Sequence, residues 1–218
     1  MITKTTKPTT PAINFVSTLA MVENRGRAPI GFLKELVAWG KTAPEEIFAP
    51  NRVPFDAYAV IKSRLGKANG NDGSSTPVYR WESPMHRRAA MLELMRVHAG
   101  IESSWNWKEG VDKTNKTSMA NKTGEETGIF QVSFDSTWLD SAEGKNIMGD
   151  FAKKHGLEDP EAFIAKMKED HALAMEYYAR LVRVSVMWAG PLIRHSKDSV
   201  YPNLNRSAMR EFMEMLKA

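Results

Sequence analysis

Apolar residues recur at helical spacing along most of the chain. Between Gly31 and Trp39, the side chains of Phe32, Leu36 and Trp39 fall on one face. Tyr58, Ile61 and Leu65 repeat the pattern between Pro54 and Leu65. Ser83-Pro84 opens a third helix, because serine is a good N-cap and proline suits the first helical position. This helix runs through Ala89, Ala90, Met91, Leu92, Leu94, Met95 and Val97 to the neighbourhood of Glu102. Being apolar on most sides, it belongs inside the molecule. Asp159-Pro160 starts a long helix through Phe163, Met167, Leu173, Tyr177, Leu181 and Val184, ending before Gly190-Pro191. Ser207 to Leu216 makes a last amphipathic helix with Met209, Phe212, Met213 and Leu216 inward.

Polar stretches separate these helices. Residues 1–11, rich in Thr, Lys and Pro, are expected to be disordered. Residues 66–77 have the composition of a flexible loop. Residues 103–135 turn polar, with Gly110, Asn115, Asn121 and Gly124, and read as loops with a short β-hairpin. The expected fold is mainly α. The expected organisation is a disordered N-terminus over 1–11, a helical extension over 12–80 and the principal domain over 81–218. No internal repeat is visible. The thirteen methionines fall mostly on apolar helix faces and serve as core filler.

With 42 % hydrophobic residues, the 218-residue chain has ample material for a core. It has no cysteine, which excludes disulfides, thiolate catalysis and cysteine-based zinc sites. A net charge of +4 favours contact with polyanions. No Lys/Arg run and no nucleic-acid-binding motif accompanies it, so nucleic acid is not the expected partner, and anionic cell-wall polymers fit equally well. No stretch reaches the ~20 apolar residues of a membrane span. Lys4 and Lys7 precede an apolar run over 12–22, but Asn14, Ser17 and Thr18 interrupt it, so no secretory leader is expected.

The position of Glu102 points to chemistry. The apolar helix before it and the negative end of that helix's dipole both disfavour a charged carboxyl. A carboxyl that keeps its proton can donate it to a leaving oxygen. The bland alternative is a helix-end Glu that is solvated or paired with Arg87 or Arg88, and on position alone this alternative is favoured. Two segments shift the balance. Glu102-Ser103-Ser104-Trp105-Asn106-Trp107 is followed by Thr127-Gly128-Ile129-Phe130-Gln131-Val132-Ser133. Together they resemble the lytic transglycosylase and goose-type lysozyme superfamily, with Glu-Ser at the end of a buried helix and Gly-x-x-Gln after a loop. A third family element, Ala-Tyr-Asn-Ala-Gly, is matched only in part by Met187-Trp188-Ala189-Gly190-Pro191. The resemblance covers roughly residues 85–192.

This resemblance implies a lysozyme-like α+β fold with a buried catalytic helix and a small loop or hairpin region. The implied activity is that of a muramidase, cutting the β-1,4 bond between N-acetylmuramic acid and N-acetylglucosamine in peptidoglycan. Glu102 would protonate the leaving oxygen and Ser103 would belong to the substrate site. Gly128 would let the backbone approach the sugar, and Gln131 would hold the turn against the helix. Tyr177 or Tyr178 would replace the missing family aromatic, and Trp107 would offer a sugar platform. His98, on the face of Glu102, reads as a core or supporting residue. A transglycosylase needs only Glu102, because the sugar's own 6-hydroxyl attacks, whereas an inverting hydrolase needs a second carboxylate. Glu126 is the favoured candidate, ahead of Glu125 and Asp112; the residue after Gly-x-x-Gln-Val is Ser133 rather than the goose-type Asp. Those loop acids could instead be solvated, or Asp112, Asn115 and Asn121 could bind calcium, although no calcium-loop spacing is present. His155, His171 and His195 lack metal-ligand spacing, and no metal or cofactor is expected.

The expected setting is a monomeric antibacterial effector of the type VI secretion kind, made in the cytoplasm and delivered to a target cell's periplasm. An immunity protein occluding the cleft would be its second partner, after the glycan strand. Phage lysis enzymes share these features. The competing readings are an inactive wall-binding module and a chitinase- or chitosanase-like glycosidase.

Overall fold

The computed structural model describes residues 14–50, 58, 83–111, 122–139, 144–184 and 200–218. The structure is mainly helical. In chain order the α-helices are α1 (Ile30–Thr42), α2 (Pro84–Ser103), α3 (Ile147–Lys154), α4 (Pro160–Glu169), α5 (His171–Val184), α6 (Val200–Asn203) and α7 (Arg206–Lys217). Short 3-10 turns lie at Ser17–Leu19, Glu45–Phe48, Lys122–Gly124 and Phe134–Trp138. Among the described residues, β pairing is limited to two isolated bridges, Val22 with Gly26 and Thr127 with Val132. No described helix is long and apolar enough to cross a membrane.

Helix α2 is the axis of the molecule. Pro84 occupies its first turn, as expected, although the Ser83 side chain makes no capping bond. Met91, Leu92, Leu94, Met95 and Val97 are fully buried. Each such side chain contributes about 1.5–3 kcal/mol on leaving water. Helices α1, α5 and α7 pack around α2, and α7 makes the most extensive contact. In α1, Phe32, Leu36 and Trp39 all face inward. In α7, Asn205 caps Ala208, while Met209, Phe212 and Met215 are buried and Met213 and Leu216 pack at the core's edge. A single hydrophobic cluster joins Phe15, Val22 and Phe32 to Tyr58 and to the helices after Ser83. Residues 14–50 thus share one core with the described helices that follow Ser83.

The single long helix expected after Asp159-Pro160 is two helices. Asp159 caps α4 through Ala162 as read, but Asp170 then leaves the helical region at φ −101°, ψ 86°. Its N–H still bonds back to Lys166, and its carboxylate accepts from the N–H of Leu173, 3.0 Å away. Asp170 therefore ends α4 and caps α5 at once. The apolar spacing from Met167 to Leu173 carries across the break, which hides it from periodicity. The pattern at Pro54–Leu65 (Tyr58 excepted), the loop at 66–77, the N-terminal stretch 1–11 and the segment Met187–Pro191 lie outside the described residues.

Candidate functional site

Glu102 sits in the last turn of α2, where its side chain is one-quarter exposed. Helix α2 ends sharply. Ser104 and Trp105 both adopt the left-handed region, at φ 52° and 62°, a conformation that costs a non-glycine residue about 1–2 kcal/mol. The Trp105 N–H bonds back to the Ala99 carbonyl at 3.1 Å. Its indole folds under the helix, is buried, and donates to the Arg96 carbonyl at 2.9 Å. Gly100 makes room for it, since a Cβ there would lie 2.5 Å from the ring. The helix end carrying Glu102 is thereby locked from below.

Ser103 faces the opposite way from Glu102. It is buried, and its hydroxyl lies 3.0 Å from the Ala99 carbonyl and 2.8 Å from that of Ile129. The same oxygen accepts from the N–H of Asn106. Ser103 is a clamp between α2 and the turn Gly128–Gln131, and its engaged hydroxyl corrects its assignment as a sugar contact. That turn is closed by the Thr127–Val132 bridge, with N–H···O distances of 2.9 and 3.1 Å. The expected close approach of Gly128 exists, but to protein. At φ 71°, a Cβ there would lie 2.8 Å from the Met167 carbonyl at the end of α4. Gly128→Ala is therefore expected to destabilise the fold by about 2 kcal/mol, combining strain with overpacking; a denaturant melt with no loss of stability would refute this. Gln131 does not hold the turn to the helix. Its amide donates to the Gly128 carbonyl of its own turn at 2.9 Å, and its backbone is left-handed at φ 46°.

The arginines named as alternative partners of Glu102 are turned elsewhere. Arg87 donates to the Phe48 carbonyl, and Arg88 to that of Ala43 at 3.0 Å. The partner of Glu102 is His98, one turn earlier, whose Nε2 lies 3.0 Å from Oε1. Among the described residues, Oε2 of Glu102 makes no hydrogen bond. His98 is almost wholly buried, and its Nδ1 meets the hydroxyl of Tyr178 on α5. The Tyr178 ring stacks on Phe130 of the turn, with centroids 4.2 Å apart and planes at 13°.

The other expected residues divide. Tyr177 is fully buried between Phe163 and Phe151, and its hydroxyl bonds Ser136 at 2.6 Å. Its ring offers no face to a sugar, which corrects its assignment to the substrate site; burial also pushes its phenol well above the ordinary range. Trp107 is half-buried, with one face covered by the stacked ring of His171 at 3.7 Å. Glu35 bonds that histidine at 2.6 Å. Glu126 and Gln131 share an open pocket of about 270 Å³ with Phe130, Ser133, Asp135 and Ser136. Trp138, in the chain between the lining residues Ser136 and Leu139, is 61 % exposed at the end of its 3-10 turn. Sequence reasoning passed over Trp138, because lone exposed aromatics are common. It also left open whether Tyr177 or Tyr178 supplies the missing family aromatic. Among the described residues, no cluster of three or more His, Asp or Glu is arranged to hold a metal ion; Asp112, Asn115, Asn121 and His195 lie outside them.

No protein-family model matches the chain. No curated protein and no solved structure matches it either.

Proposed function

We propose that this chain cleaves the glycan strands of peptidoglycan, with Glu102 as the general acid, on a lysozyme-like arrangement of a buried helix and a clamped turn. The observation that carries this reading is the coupling of the two motif segments. Ser103, next to Glu102, binds the Ile129 carbonyl inside Gly128–Gln131. Of the four non-glycine residues with positive φ among the described residues, three (Ser104, Trp105 and Gln131) lie in these segments. Strain that the fold holds at two adjoining segments is characteristic of functional sites. Glu102 has one oxygen anchored and the other unengaged among the described residues, as a proton donor to a glycosidic oxygen requires.

Glu126 is the proposed second carboxylate, for activating water in a hydrolytic reaction. Trp138, exposed on the same 3-10 turn as the pocket residues Asp135 and Ser136, is proposed to supply an aromatic face for a sugar ring. The proposed setting is an antibacterial effector acting in a target cell's periplasm, checked by an immunity protein that covers the cleft.

Digestion of purified sacculi, with the fragments weighed by mass spectrometry, tests the reading. Muropeptides with reducing ends mark hydrolysis, and anhydro ends mark transglycosylation by the 6-hydroxyl. No fragments from folded protein refutes the enzyme; cleavage of chitin oligomers alone reassigns the substrate. Trp138→Ala is expected to weaken glycan binding about tenfold, roughly the free energy of one aromatic stack, with little change in Tm. Unchanged binding removes Trp138 from the site.

A further inference from the structure

Glu102 is not held by its own helix alone. Tyr178 lies eighty residues beyond His98 and reaches Glu102 through that histidine, which solvent hardly touches. We propose that His98 and Tyr178 are positioning residues: a buried Tyr178–His98–Glu102 relay anchors Oε1 of the carboxyl and leaves Oε2 as the oxygen that carries the proton to substrate. The proposal rests on the reading of Glu102 as the acid.

The direction of the relay follows from its donors and acceptors. Burial, the larger cause, pushes the Tyr178 phenol well above its ordinary range, so the hydroxyl keeps its proton. In the proposed relay that O–H donates to Nδ1 of His98, which accepts. A neutral imidazole accepting at Nδ1 carries its hydrogen on Nε2. Nε2–H donates to Oε1 of Glu102, at 3.0 Å. A second proton on His98 would put a cation where solvent hardly reaches. With this polarity His98 offers Oε1 an N–H while leaving Oε2 to the substrate side.

In the reaction, the O–H bond at Oε2 breaks and a new one forms on the leaving glycosidic oxygen. That oxygen takes the electron pair of the breaking C1–O bond. The new carboxylate is met at once by the existing N–H at Oε1, and no proton moves along the relay. Phe130 gives the Gly128–Gln131 turn a part in this, because its ring lies flat on Tyr178 and fixes the phenol's position.

Tyr178→Phe deletes one hydroxyl inside the core. It is expected to lower kcat on soluble glycan oligomers by about 5- to 10-fold, the effect of one lost neutral hydrogen bond, with KM unchanged. His98→Leu should lose at least as much, and His98→Gln, whose amide can donate to Oε1, should recover part of it. Long-range proton–nitrogen NMR of the imidazole should show the Nε2–H form in the native protein and a mixture in Tyr178→Phe. A purely structural role would lower Tm and leave kcat per folded molecule unchanged. Native kcat in Tyr178→Phe and in both His98 variants, alongside an inactive Glu102→Gln, overturns the relay alone; so does an Nδ1–H form in the native protein. Full activity in Glu102→Gln, or none in the native protein, overturns the reading of Glu102, and the relay's catalytic purpose goes with it.

Discussion

Glu102→Gln is expected to lower glycan cleavage by at least about 10²–10⁴-fold, the contribution of a positioned general acid, while Tm stays within a degree or two of the native value. The amide matches the carboxyl in size. Its oxygen can still accept the N–H of His98, the one hydrogen-bonding partner Glu102 has among the described residues. What it lacks is an acidic proton for the leaving oxygen. The side chain is one-quarter exposed and, among the described residues, makes no ion pair with arginine, so the exchange leaves little unsatisfied. Loss of activity together with a large fall in Tm would show a structural role. Retained activity would show that a different group is the acid. Fragment release from sacculi, measured beside a calorimetric scan of the same sample, separates these outcomes.

The largest expected loss of stability comes from Arg96→Met. Arg96 and Glu93 form an ion pair that is fully buried on both sides, with N···O distances of 2.7 and 2.8 Å. Burial opposes the charge on Arg96, and the carboxylate beside it more than compensates. The pair also ties distant segments to α2. Arg96 donates to the Ala20 carbonyl at 3.0 Å, and Glu93 accepts from the N–H of Asn205 at the start of α7, at 2.7 Å. Removing the guanidinium strands a carboxylate in the core, which costs about 3–5 kcal/mol. For a chain of this size that lowers Tm by roughly 10 °C. The double variant Glu93→Leu/Arg96→Met removes both charges and should recover most of the loss. A single variant as stable as the native protein would mean that water or a counter-ion reaches Glu93.

Sequence periodicity located α1, α2 and α7 because each buries a stripe of its own residues, and a stripe is a local property. Local chemistry also marked the start of α4 at Asp159-Pro160. It failed at Asp170, where a capping carboxylate interrupts an apolar spacing that continues in phase. Glu102 and the Gly128–Gln131 turn were legible as motifs. Their supports were not. Ser103 and Gly128 were expected to meet sugar, yet they meet Ile129 and Met167, because a motif names residue types without saying what packs against them.

Adjacent tyrosines illustrate the same limit. Tyr177 and Tyr178 are equivalent in the sequence and both are buried. One turns to Ser136 and the other to His98, according to how α5 lies between the 3-10 turn at Phe134–Trp138 and α2. By itself the sequence determined a mainly helical chain with a carboxyl at the end of its most apolar helix, since hydrophobic spacing and capping act within a few residues. Only the tertiary structure decided that His98 and Tyr178 hold this carboxyl, that Ser103 clamps the turn and that Arg96 anchors the helix. Those bonds join residues far apart in the chain, and packing selects them.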